Sequence, residues 1–318
     1  MKKGVFYTFL AILISLLVMT VLIGSTQVSR RGKSEAVSQR VRAMDSFLTD
    51  LENDFERELY IGGYRSILSL QKIVRQQRDF IDDMDLRISE ILVNGTFNGT
   101  QVDLMFQDGQ GADISSWNQR VGEEAGKLSL DAYVLPRNIT VIMADPWTVR
   151  LHVNTTITLS DRRGLASWMY DHDFTKDISI LGFEDPMYTV MTQDKISNLV
   201  FSQPTMDFVD DATNDTQALR AHLNSSLYAP SSTGPDFLMR FTGENGTSPA
   251  GIESLVDLDD LQRQGIAVRN KTIVDHIYFS DESTADYCDI AGMMAWFRLD
   301  KAHAGIYEVD LLEKTDCD

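Results

Sequence analysis

Residues 5–24 run without a charged side chain, and Tyr7, Thr8, Ser15 and Thr20 are the only polar groups among them. At about 1.5 Å per residue such a run covers roughly 30 Å, the thickness of a bilayer core. It predicts a membrane-spanning helix over 5–25, preceded by a short basic leader or cytoplasmic tail at 1–4. A removable secretory signal is the competing reading, but the large residues around Leu22-Ile23-Gly24 are unlike an A-x-A cleavage site. Beyond the run the pattern turns amphipathic. Val37, Val41, Met44, Leu48, Leu51 and Phe55 alternate spacings of four and three, a heptad stripe. The stripe resumes at Ile67, Leu70, Val74, Gln77, Ile81, Met84, Ile88 and Ile91. Gly62-Gly63 lies between the two stretches and predicts a kink or turn, because glycine is costly inside a helix. Residues 26–92 thus read as a helical stem with a break at 62–63, either folded back as a hairpin or continuing as a rod.

From residue 93 onward strand patterns dominate. Along 148–159, Val149, Leu151, Val153, Thr155, Ile157 and Leu159 share one face, while Arg150, His152, Asn154 and Thr158 share the other. Further strands are expected at 102–106, 128–134, 138–143, 178–183, 237–241, 273–279 and 306–311, with helices near 213–227 and 252–263. The expected class is α+β: a transmembrane helix continuing into an amphipathic stem, then a mainly antiparallel β-rich domain over 93–318.

Charge sharpens this division. The chain of 318 residues carries 29 basic and 47 acidic side chains, a net of −18. Residues 93–318 hold 16 Lys/Arg and 35 Asp/Glu, a net of −19. Such a balance argues against binding DNA or RNA through phosphate neutralisation. The sequence Asn-x-Ser/Thr occurs at Asn94, Asn98, Asn138, Asn154, Asn214, Asn224, Asn245 and Asn270, eight of the chain's eleven asparagines. This density predicts a glycosylated domain outside the cell or in a lumen. It outweighs Arg30, Arg31, Lys33, Arg40 and Arg42, which a positive-inside count would keep in the cytoplasm. The expected location is therefore the cell membrane, single-pass, with the C-terminal domain extracytoplasmic. In such a compartment Cys288 and Cys317, the two cysteines, could form a disulfide; two separate buried thiols are the alternative.

No catalytic motif stands out: there is no G-x-S-x-G, H-E-x-x-H, G-x-x-x-x-G-K-[ST] or G-x-G-x-x-G. Asp171-His172-Asp173 has the spacing of a metal-binding D-x-D pair, as in a glycosyltransferase, and an exposed turn is its bland reading. Calcium could be sought at Asp207/Asp210/Asp211/Asp215, at Asp257/Asp259/Asp260 or at Asp108 and Asp113, though none matches the EF-hand spacing. No cofactor is expected.

Lys3-Gly4 followed directly by the apolar run resembles the N-terminus of archaeal type IV pilin-like proteins. The resemblance implies leader cleavage after Gly4, an apolar helix that continues into a C-terminal β domain, and assembly through that helix. Asp145-Pro146-Trp147-Thr148-Val149-Arg150, Gly164-Leu165-Ala166-Ser167-Trp168 and Gly182-Phe183-Glu184-Asp185-Pro186 are similar to uncharacterised archaeal membrane-anchored surface proteins, and no activity comes with that similarity. The expected function is an extracytoplasmic glycoprotein, a pilin-like or other surface structural or adhesion subunit without catalytic activity. Its expected partners are the lipid bilayer and further copies of itself, with no nucleic acid. A membrane-tethered ectoenzyme of type II glycosyltransferase layout and a solute-binding ectodomain are the alternatives.

Overall fold

The computed structural model describes the backbone of residues 3–203, 207–210, 212–281, 287–312 and 315–317, and the side chains of these except 3–12, 21–34, 108 and 315–317. Helix α1 (Lys3–Gln77) leads to α2 (Met84–Asn94). A small hairpin of β1 (Thr96–Phe97) and β2 (Thr100–Gln101), a 3-10 turn over Asp103–Gly109 and α3 (Ile114–Lys127) follow. Strands β3 (Leu130–Asp145), β4 (Thr148–Asp161) and β5 (Ser167–Ser179) form a sheet in that order. The remainder comprises α4 (Pro186–Met191), α5 (Gln217–Asn224), β6 (Tyr228–Pro230), α6 (Met239–Thr242), β7 (Ile252–Ser254), α7 (Leu258–Arg263) and α8 (Asp275–Phe279). Strands β8 (Tyr287–Ile290), β9 (Leu299–Asp300) and β10 (Thr315–Cys317) close the chain as a sheet ordered β10-β8-β9. The class is α+β with antiparallel sheets.

Two compact units are distinguished: Met1–Phe55 with Val121–Tyr133 and Ile157–Tyr170, and Glu56–Arg120 with Val134–Thr156 and Asp171–Asp318. In the first, Met44, Leu48, Leu51 and Phe55 of α1 are buried, as are Ala125, Leu130, Ala132, Ile157 and Leu159. From Met44 to Phe55 the stripe expected from sequence is therefore a seam for the chain's own core, whereas its first member, Val37, is exposed. Arg40 fixes this unit at one edge, reaching Asp161 Oδ1 at 2.7 Å and the Leu128 carbonyl at 2.6 Å.

In the second unit β4 alternates from Thr148 to Thr155, with Val149, Leu151, Val153 and Thr155 wholly buried, and the alternation breaks at Thr156, which is buried as well. On the other face, β4 pairs with β5 in antiparallel register: Arg150 with Asp177, His152 with Thr175 and Asn154 with Asp173. The strands expected separately at 128–134 and 138–143 are one strand, β3. Pro136 lies inside it because β3 is an edge strand, where a missing N–H costs no ladder bond.

Several expectations are corrected. Among the described residues no helix is long and apolar enough to cross a membrane. That finding overturns the span at 5–25 and, with it, the single-pass cell-membrane location. The break at 62–63 is also absent, and with it the hairpin: α1 passes through Gly62-Gly63 unbroken and ends at Gln77. The glycines serve packing instead. A Cβ on Gly62 would lie 2.7 Å from the Ala112 carbonyl oxygen, and one on Gly63 would meet the side chains of Leu151 and Ile178. Gly62→Ala should therefore destabilise by about 1–3 kcal/mol from overpacking, although helix propensity alone favours alanine by about 1 kcal/mol. Urea midpoints of the two proteins check this, and a stabilised variant would show that the helix does not approach Ala112 so closely.

The runs at 237–241 and 273–279, expected as strands, are largely helical, in α6 and α8. The Asp236 carboxylate accepts from Leu238 and Met239 N–H, a local turn that starts a helix rather than a strand. The expected helix at 252–263 begins as β7 and becomes α7 only after Asp257 caps it. The runs at 102–106 and 306–311 hold 3-10 turns. The Cys288–Cys317 crosslink lies half outside the description. Cys288 is buried, carries no free thiol and faces Cys317 in strand register, whereas the Cys317 side chain is not among the described residues, so no S–S bond is described.

Candidate functional site

The second unit is built around a buried ionic cluster. Arg240, wholly buried at the foot of α6, places Nη1 2.6 Å from Asp185 Oδ2 and 2.9 Å from Asp275 Oδ2. Its Nη2 donates to the Ile252 carbonyl and reaches Asp275 Oδ1 at 3.3 Å. Both carboxylates are in place for local reasons. Asp185 is the N-cap of α4, accepting from Met187 N–H with Pro186 in the first turn, a strong helix-start pairing. Asp275 opens α8 and accepts from the N–H and hydroxyl of Ser254 at 3.0 and 2.7 Å. Tyr228 donates to Asp185 at 2.7 Å, and the Arg240 guanidinium lies 5.6 Å from the Tyr228 ring centre. Burial raises the Asp185 carboxyl despite the pull of Arg240. For Asp275 burial acts the same way, but Arg240 and His276 outweigh it and hold the carboxyl low.

A second layer adjoins the first. His303 Nδ1 lies 2.7 Å from Asp300 Oδ1, and its Nε2 is 3.5 Å from Glu253 Oε2 and 3.3 Å from the Thr233 hydroxyl. Thr272 donates to Asp300 at 2.9 Å. Burial alone would lower His303, yet its two carboxylate neighbours raise it. Glu253 is itself pushed up by burial. Carboxylate, imidazole and hydroxyl stand in the order of a general-base relay, but Glu253 competes with Thr233 for Nε2. The three clefts described next are lined by other residues.

A cleft of about 730 Å³ is lined by Asp82, Asp83, Asp85, Asp145, Asp236 and Glu244 and by no cation. Most of these carboxylates already serve the backbone or an arginine: Asp83 caps α2, Asp82 holds Arg87, and Asp145 accepts from Trp147 N–H. A smaller cleft of about 240 Å³ lies by Phe80, Met191 and Asn245. A third, of about 420 Å³, has the opposite charge, with Arg269, Lys271, Arg298 and Trp296 in its wall.

The sites expected from sequence fall as follows. Asn94, Asn98, Asn138, Asn214, Asn224, Asn245 and Asn270 are exposed, and Asn154 is half-buried on β4, donating to Asp173. Asp171 and Asp173 sit in β5 rather than in a turn. They are taken by Thr156 and Asn154 of the neighbouring strand, so they do not converge on a metal. Asp257 caps α7, and Asp210 bridges to Asp215 through the backbone, while Asp211 and the Asp108 side chain lie outside the described residues. Among the described residues no group of three or more His, Cys, Asp or Glu could hold a metal ion. Gly4 is in α1. The ionic cluster escaped the sequence reading because its members come from five separated segments. Asp185-Pro186 was the one legible signal, as a helix start. Comparison with protein-family models, with curated proteins and with solved structures finds no match for this chain.

Proposed function

We propose that the chain is a structural or adhesion subunit, pilin-like in layout and without catalytic activity, that carries glycans and associates with copies of itself through the start of α1. The observation that carries this reading is the placement of the acceptors: of eight Asn-x-Ser/Thr asparagines, seven are exposed and none is buried. Association is supported by Leu13, Ile14, Leu16, Leu17, Val18 and Met19, exposed apolar residues within two turns and so on every side of the helix. Copies packing side by side would cover such a surface, whereas the acidic remainder repels its like unless salt screens it. The inward stripe at Met44 and Leu48 is already used within the chain and is not the association surface.

Mass spectrometry of protein from its native source should find glycans on several of the eight asparagines. Eight unmodified asparagines would refute the glycoprotein reading. Sedimentation should show oligomers that Leu13→Glu with Leu17→Glu disperse. Unchanged oligomers in that variant, or a monomer to begin with, would refute association through this part of α1.

A further inference from the structure

We propose that the cleft walled by Arg269, Lys271, Arg298 and Trp296 is a binding site for an acidic sugar, a pyranose bearing a carboxylate or sulfate. Its volume of about 420 Å³ falls in the range of roughly 300–1,000 Å³ usual for small-ligand sites. Residues 93–318 carry more than twice as many carboxylates as cations, yet this lining holds three cations and no carboxylate. Among the described residues the cations are held by neutral groups. Lys271 Nζ donates to the Ser280 carbonyl at 2.6 Å, and Arg269 Nη1 donates to the same oxygen at 3.3 Å. Arg298 lies over the Tyr287 ring, 5.9 Å from its centre. Among the described residues none of the three has a carboxylate within ion-pair distance. Each keeps N–H donors for an anion, and a guanidinium fork matches a carboxylate or sulfate in geometry.

The rest of the wall suits the ring that carries the anion. Trp296 is half-buried and offers an indole beside Leu258, Val268 and Ala295, a surface for the C–H face of a pyranose. Gln262 and Asn270 supply amides for its hydroxyls. Asn270 is itself a glycan acceptor, so a sugar attached there starts at the cleft. The acidic sugar can come from two sources, a glycan tethered at Asn270 or a free saccharide. Only the tethered source rests on the glycoprotein reading.

The test uses the full chain made without glycosylation, titrated calorimetrically with glucuronic acid, glucose and inorganic sulfate. Glucuronic acid should bind at millimolar concentration and quench Trp296, with the quenching lost in Trp296→Phe, and added salt should weaken it. Arg269→Gln and Lys271→Gln should each weaken binding roughly tenfold, the loss of one charge-assisted contact. Arg269 is exposed, so its variant should fold as the parent does. No binding of glucuronic acid, equal binding of glucose, equal binding of sulfate alone, or full affinity in both variants would each overturn the site. The source is then read from glycosylated protein. If the tethered sugar fills the cleft, free glucuronic acid binds only after Asn270→Gln; if the ligand is free, both forms bind alike. Failure of glycosylation at Asn270 leaves the first titration intact, so the two readings fail separately.

Discussion

Replacing Arg240 by methionine is expected to cost about 3–5 kcal/mol, the usual consequence of removing one partner from a buried ion pair. The side chain is wholly buried with Asp185 and Asp275, so its removal leaves two buried carboxylates without their counter-ion. A loss of that size is comparable to the whole stability of many domains. Two companion measurements separate this cause from simple loss of packing. Arg240→Met combined with Asp185→Asn and Asp275→Asn should recover part of the loss, since no unpaired charge remains. The single variant should also become relatively more stable as pH falls. Without the arginine, burial raises both carboxyl pKa values in the folded state, so the folded chain binds protons that the unfolded chain does not. Urea unfolding of the three proteins at pH 7 and pH 5 gives these quantities. A single variant within 1 kcal/mol of the parent would mean that the guanidinium is not the counter-ion of the two aspartates.

The second large effect is a loss of stability in acid that passes through His222. The ring is buried between Phe208 and Tyr307, with ring centres at 5.0 and 5.7 Å, and its Nδ1 lies 3.0 Å from Gln203 Oε1. Its Nε2 is buried without a hydrogen-bond partner. A neutral ring donating from Nδ1 fits this pocket, and a second proton does not. Burial accordingly lowers the pKa from 6.5 to about 4. Between those values the unfolded chain holds a proton that the folded chain refuses. The contribution is therefore intact above pH 6.5 and is lost as pH falls towards 4, reaching about 3 kcal/mol. His303 works in the opposite sense: its raised pKa contributes stability at low pH that is lost as pH rises through the folded value. The difference between the parent and His222→Phe isolates the first term. The parent should lose more stability than the variant between pH 7 and pH 4.5, and parallel pH profiles would show that His222 already accepts its proton in the folded state.

How much of this was legible beforehand varies with the kind of signal. The alternation of β4 up to Thr155 and the three-four stripe of α1 from Met44 to Phe55 were readable because burial there follows from the local period alone. The direction of burial was less so. Met44, Leu48 and Phe55 face the chain's own core, and no local pattern tells an internal seam from an external one. Gly62-Gly63 misled because glycine has two uses, to break a helix or to let another segment approach it, and Ala112 is fifty residues away in sequence. Runs such as 237–241 and 273–279 are too short for period to separate strand from helix. The acceptor asparagines were legible as a motif, and their exposure follows from the loops and polar strand faces that hold them. The ionic cluster was not, since a buried arginine and two aspartates look individually like surface residues.

Thr272, the hydroxyl residue of the Asn270 acceptor, is wholly buried, with its oxygen engaged by Asp300. An enzyme that demands a hydroxyl two positions after the asparagine has to touch that hydroxyl, and the finished fold closes it off. Thr156 and Thr216, which serve Asn154 and Asn214, are buried as well, whereas Thr100 and Thr247 are exposed. The acceptors thus differ in chronology. If the chain is glycosylated, a sugar on Asn98 or Asn245 can be added to a mature molecule, whereas one on Asn270 would have to precede the closing of its segment, and its presence would record the order of decoration and folding.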